Sequence, residues 1–155
     1  MGAALLWSFV IGLVSGLRAF TGVAAVAWAA HLGWINLAGS PLAFMGSKWA
    51  LGVFTILAIV EYVTDQLPST PARTVPMQLG ARVVLGGLAG GCLGIAGDAW
   101  IAGAVCGVIG ALVGTFGGYR LRTGLVQSLK VPDIAIAIPE DLIAIGLGFL
   151  AVSRF

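Results

Sequence analysis

Charge is scarce in this chain. Eight Lys and Arg and six Asp and Glu are spread over 155 residues, and a net charge of +2 is too small and too scattered for nucleic-acid binding. Histidine is scarcer still, and the single His31 cannot supply a cluster of metal ligands. Cys92 and Cys106 fall in apolar, glycine-rich stretches without CxxC or metal spacing, and read as packing residues. No HExxH, nucleophile elbow, phosphate loop, or haem or iron–sulfur spacing occurs, so the expectation is a non-enzyme without cofactor or metal. The Gly-x-Gly-Asp pattern of intramembrane aspartyl proteases is missing too, because Ile95 stands where its first glycine belongs. The apolar run starts at Ala3 with no basic leader and continues past Arg18, which argues against a cleavable signal peptide.

What is present is apolar. A hydrophobic content of 59% and a mean hydropathy of +1.06 exceed what a soluble core of this size needs. The expectation is one integral membrane domain over residues 1–155, an all-α polytopic transmembrane helix bundle in the lipid bilayer. At ~20 residues per span, about five crossings are expected, or six if residues 3–47 cross twice.

Residues 3–32 are too long for one straight span, so a bend or break near Gly16 is expected. Residues 33–47 read as an interfacial or partly re-entrant loop, with Trp28, Trp34 and Trp49 at its edges suiting the headgroup belt. Span two covers about 48–66, where Pro68, Pro71 and Pro76 forbid a regular continuation. Span three covers about 79–96, and a turn at Gly97-Asp98 leads to span four, about 99–119. A basic loop then runs from Arg120 to Asp133. The last span, about Pro139 to Ser153, is short unless it recruits the preceding IAIAI run through a break. With five spans, the positive-inside rule puts the loops bearing Arg73, Arg120, Arg122 and Lys130 in the cytoplasm, together with the amino terminus.

Spans three and four carry glycine ladders: Gly86, Gly90 and Gly94 in one, Gly110, Gly114 and Gly118 in the other. In lipid, close approach of backbones at small residues supplies much of the helix packing. The ladders are expected to hold the monomer together; a homodimer face or a backbone-lined pore is the alternative.

The few charges are placed unusually. Glu61 and Asp65, one helical turn apart, project from one face at the end of span two, where the helix dipole disfavours anions. Arg18 is the one deep basic residue, and an ion pair with that acidic face is the simplest way to keep it there. A second cluster joins Arg120 or Arg122 to Glu140 and Asp141, which are expected in the first turn of a helix opened by Pro139. The stretch from Gly16 to Val23 also aligns without gaps on Gly118 to Leu125, as an inverted repeat would, but in a glycine-rich chain chance or local turn chemistry explains the match better.

Taken in order, several elements carry a resemblance. They are Ser15-Gly16-Leu17-Arg18; Glu61, Asp65 and Pro68 in EYVTDQLP; Arg82 and Gly86; Gly118 to Arg122; and Glu140-Asp141 before an apolar tail. Over nearly its full length the chain resembles a family of small bacterial integral membrane proteins, domain-of-unknown-function family DUF4126. It departs where related sequences often place a lysine after the second acid, since Gln66 follows Asp65 here. The resemblance implies a small protein of the bacterial inner membrane and adds no substrate.

Two functions remain open. One is a small transporter or channel, with Arg18, Glu61 and Asp65 as the ion or solute site. The other is a structural or accessory subunit that docks to itself or to a larger membrane complex through its glycines. Handling of lipid headgroups by Arg120, Arg122 and Lys130 ranks below both.

Overall fold

The protein, seen in a computed structural model, is described over residues 2–67, 69 and 71–155; Pro68, one of the expected helix-stopping prolines, lies outside the described residues. The described residues form six α-helices: α1 (Gly2–Leu17), α2 (Ala19–His31), α3 (Lys48–Thr64), α4 (Pro76–Ala96), α5 (Trp100–Leu129) and α6 (Asp133–Val152). A short 3-10 helix, Ala43–Gly46, lies between α2 and α3, and no strand occurs among the described residues. By length and composition α4, α5 and α6 can each cross a membrane, while α1 and α2 are shorter apolar helices.

The long first stretch does break, and Arg18 is the residue that breaks it, in an extended conformation (φ −139°, ψ 111°) between the two helices. The chain then doubles back. A side chain at Gly22 would collide with Ser15 and the Ile11 carbonyl, and Gly148 of α6 lies beside both Val14 and Ala25. A continuous helix would hold residues 14 and 25 ~16 Å apart along its axis. The first 31 residues therefore form a helical hairpin with its tip at Arg18. The expected break near Gly16 is thus a full reversal, the topology of the twice-crossing alternative, with arms of 16 and 13 residues that are shorter than the three helices long enough to cross. From here the helices alternate in direction, and both termini lie at one end of the bundle, where the Arg154 guanidinium stands over the Trp7 ring at 5.7 Å.

Two other boundaries differ from the sequence expectation. Helix α5 continues ten residues past 119, through the stretch expected as a basic loop, and stops where Lys130 adopts a left-handed conformation (φ 51°). Arg, Leu and Gln are good helix formers, so polarity there does not imply a loop. Helix α6 starts at Asp133 and passes through Pro139 without ending. A proline followed by an acid occurs twice, at Pro132-Asp133 and Pro139-Glu140, and the chain uses the first as its helix start. Glu140 and Asp141 are thus inside a helix and gain nothing from its amino-terminal dipole.

Helices α1, α4 and α5 form the tightest contact. Added side chains at Gly90 and Gly94 of α4 would strike the backbone around Gly103 and Gly107 of α5, and one at Gly86 would strike Ala111. On the next stripe of α5, Gly110 and Gly114 meet the α1 backbone at Phe9 and Leu13. Gly118 lies against Leu17, Arg73 and Glu140. All six ladder glycines are spent on contacts within the chain. The outward faces instead carry large apolar side chains such as Ile56, Val84, Ile101, Val105 and Leu142. An apolar exterior around a polar-containing interior suits lipid as the surrounding solvent.

Gly107→Ala should lose about 1–3 kcal/mol, because its methyl group would meet Gly86 and Gly90 backbone. Gly117→Ala, facing open space, should be neutral or gain up to ~1 kcal/mol from helix propensity. Thermal unfolding of the two variants in mild detergent checks the contrast.

Candidate functional site

Breaking a helix at Arg18 exposes two sets of backbone groups that lipid cannot satisfy. At the carboxyl end of α1, the Gly16 carbonyl accepts from Arg82 Nη1 (3.3 Å) and from the Thr115 hydroxyl (3.3 Å), and the Leu17 carbonyl accepts from Arg82 Nη1 (3.2 Å). At the amino end of α2, the Ala19 and Phe20 amides donate to the two carboxylate oxygens of Glu61, at 2.7 and 3.0 Å. A cation thus faces the negative end of one helix and an anion the positive end of the other. Arg82 and Glu61 also face each other at 3.8 Å. Glu61 tolerates the carboxyl end of its own helix because it caps another.

Arg18 itself is fully buried. Its guanidinium bridges Asp65, at the end of α3, to Asp141 in α6, and stands 5.7 Å from the Tyr62 ring centroid. The Tyr62 and Thr21 hydroxyls are hydrogen-bonded at 2.6 Å, fixing α3 against α2 beside the tip. Arg73, from the segment joining α3 and α4, makes a bidentate pair with Glu140 at 2.7 and 3.2 Å. Arg122 reaches Glu140 at 3.4 Å and engages both oxygens of Asp133.

Nine of the fourteen charged residues therefore gather in one layer: Arg18, Arg73, Arg82 and Arg122 with Glu61, Asp65, Asp133, Glu140 and Asp141. Arg18 meets Asp65 as the spacing suggested, but its second partner is Asp141, and Glu61 goes to Arg82 and the α2 amides. Arg122 joins Glu140, whereas Arg120 is exposed and forms no ion pair among the described residues. Arg73, Arg82 and Asp133 join the site without being marked as site residues by the sequence pattern. For Arg82 the clue was its place in the third span, beyond where the positive-inside rule needs a charge. The eight-residue likeness between Gly16 and Gly118 has no structural counterpart, since the backbone breaks at Arg18 and runs helical through Arg120.

Among the described residues three cavities adjoin the layer, one of them an apolar groove of about 180 Å³ beside Arg122 and Glu140; the other two meet at Asp65. A polar cleft of about 280 Å³, whose walls include Asp65, Arg73, Arg82, Tyr119, Arg122 and Asp133, opens at the charged end of the bundle. A mostly apolar slot of about 310 Å³ lies between α2, α3 and α4, with Phe20, Leu57, Val60 and Met77 among its walls and Glu61 and Asp65 beside them. Asp65 belongs to both.

Arg18→Met should cost about 3–5 kcal/mol, because it leaves the largely buried Asp65 and Asp141 without the guanidinium that bridges them. Adding Asp65→Asn and Asp141→Asn should recover most of that loss. Chemical unfolding of the single and triple variants tests this, and a triple variant as unstable as the single one would contradict the ion-pair account.

No curated protein and no solved structure matches the chain. A family described as Domain of unknown function (DUF4126) matches residues 5–154, which include every charged residue of the layer. The helix break, its counter-charges and the cavities beside them are thus features of a chain that belongs to the DUF4126 family.

Proposed function

We propose that this protein is a small membrane transporter or channel whose solute site is the charged layer at the α1–α2 tip. The observation that carries the reading is the position of Asp65. It holds Arg18 by an ion pair and lines both the cleft at the bundle end and the slot between the helices. Irregular backbone at membrane depth is tolerated where it is buried in protein or lines a cavity, and discontinuous helices whose ends face charged groups are a recurrent transporter device. Helix α3 packs mainly on α2 and the 3-10 helix, so it is the element best placed to move and part Asp65 from Arg18.

A second reading has its own support. Every acid in the layer has an arginine partner, as in a network that only fixes helix register. Such an accessory subunit would dock through its outer faces, because the ladder glycines are occupied inside the chain.

Proteoliposomes separate the two. The transport reading expects uptake of at least one of sodium, protons, chloride or phosphate above empty liposomes, abolished by Asp65→Asn. Equal flux from wild type and variant would contradict it. Absent flux together with fixed-stoichiometry copurification in a larger complex would favour the accessory role.

Orientation in a bacterial inner membrane also belongs to this proposal. The charged end carries Arg73, Arg120, Arg122 and Lys130, and the opposite end Lys48, His31 and Arg154. With the hairpin in place, the positive-inside rule puts the charged end in the cytoplasm and both termini on the far side. That reverses the five-span expectation for the amino terminus. A carboxyl-terminal alkaline phosphatase fusion should be active and a fluorescent-protein fusion dark; the opposite pattern would refute this orientation.

A further inference from the structure

We infer that the cleft at the charged end is a binding site for a small oxyanion, a carboxylate or phosphate, held by Arg73, Arg82 and Arg122. Arg82 is the reason. It is buried to 2% exposure and cannot shed its charge, yet its bonding is incomplete. Its Nη1 is spent on two neutral carbonyls, and its Nη2, whose nearest carboxylate is 3.8 Å away at Glu61, makes no hydrogen bond among the described residues. A buried guanidinium left short of acceptors is where an anion gains most.

Three arginines share the walls with two carboxylates, Asp65 and Asp133, and the spare donors lie on the arginines. Arg73 uses two of its five N–H groups on Glu140, and Arg122 uses three on Asp133 and Glu140, so both keep N–H groups to spare. Tyr119 adds a hydroxyl to the wall. Thr123 adds no donor, because its hydroxyl already donates to the Tyr119 carbonyl at 2.9 Å. The acids of the cleft are not free to hold a cation: Asp65 is paired with Arg18, and Asp133 with Arg122. A volume of about 280 Å³ admits a phosphate or a short carboxylate with some water.

The inference names what binds, and so deepens the transport reading for the same layer without requiring it. Anion binding without flux would contradict transport and leave this site standing. Flux without anion binding would do the reverse.

The test uses the full chain in phosphatidylcholine nanodiscs, titrated with inorganic phosphate or succinate against chloride at constant ionic strength. Saturable binding of labelled phosphate or succinate, with a raised unfolding midpoint, is expected. Arg122→Gln and Arg73→Gln should each weaken it by roughly tenfold or more, the loss of one charge-assisted hydrogen bond. Arg120→Gln, on the same helix but outside the cleft walls, should leave it unchanged. Arg73 lies outside the helices, so its variant keeps the test informative if Arg122→Gln fails to fold. A parallel arm dopes the discs with phosphatidic acid: stabilisation there alone, with the same Arg73 dependence, would make the anion a lipid headgroup. No binding beyond chloride in either arm, equal binding by wild type and Arg73→Gln, or stabilisation that follows the cation instead would overturn the proposal.

Discussion

Two helix ends meet at Arg18 in a place where water cannot satisfy them, and the surrounding bundle is arranged to do so. Orphaned carbonyls at the end of α1 and orphaned amides at the start of α2 would each cost free energy if left bare in an apolar surrounding. Arg82 and Thr115 answer the first, and Glu61 answers the second. These side chains come from α3, α4 and α5, so the tip cannot form until three other helices are in place. Once there, Arg18 ties in α6 through Asp141. One break in the backbone thereby specifies the positions of all six helices.

Glycine makes this arrangement geometrically feasible. Arg82 reaches the α1 carbonyls, and Thr115 reaches Gly16, only because α1, α4 and α5 approach to backbone contact along Gly12, Gly16, Gly86, Gly90, Gly107, Gly110 and Gly114. The same closeness buries Ser8, which donates to the Gly90 carbonyl at 3.0 Å, without stranding its hydroxyl. By contrast α3 contributes few buried residues, among them Ala50, Ala58 and Glu61. It is anchored mainly by its polar end, which couples the charged layer to the helix least restrained by packing.

Much of this was legible in the sequence, for identifiable reasons. Apolar content and span lengths gave an all-helical bundle, and the i, i+4 spacing of Glu61 and Asp65 pointed to one acidic face near Arg18. The hairpin was hidden because an apolar run does not record whether it continues or reverses; that depends on Arg82 and Glu61, distant in sequence, being there to cap the break. The sequence does not show the full length of α5, because basic residues suit a loop and an exposed helix end equally. The start of α6 is ambiguous in the sequence because the local signals at Pro132 and Pro139 are equivalent.

The account stands on the reversal at Arg18, and a distance between the two ends of the first stretch tests it directly. Spin labels at Ala3 and His31, both exposed, can be placed in a chain whose Cys92 and Cys106 are replaced by alanine. A single straight helix would hold those positions ~42 Å apart at 1.5 Å per residue. The hairpin puts them at the same end of the bundle, so pulsed electron paramagnetic resonance in liposomes should give less than half that separation. A distribution centred near the straight-helix value would contradict the broken hairpin and, with it, the charged layer built around its tip.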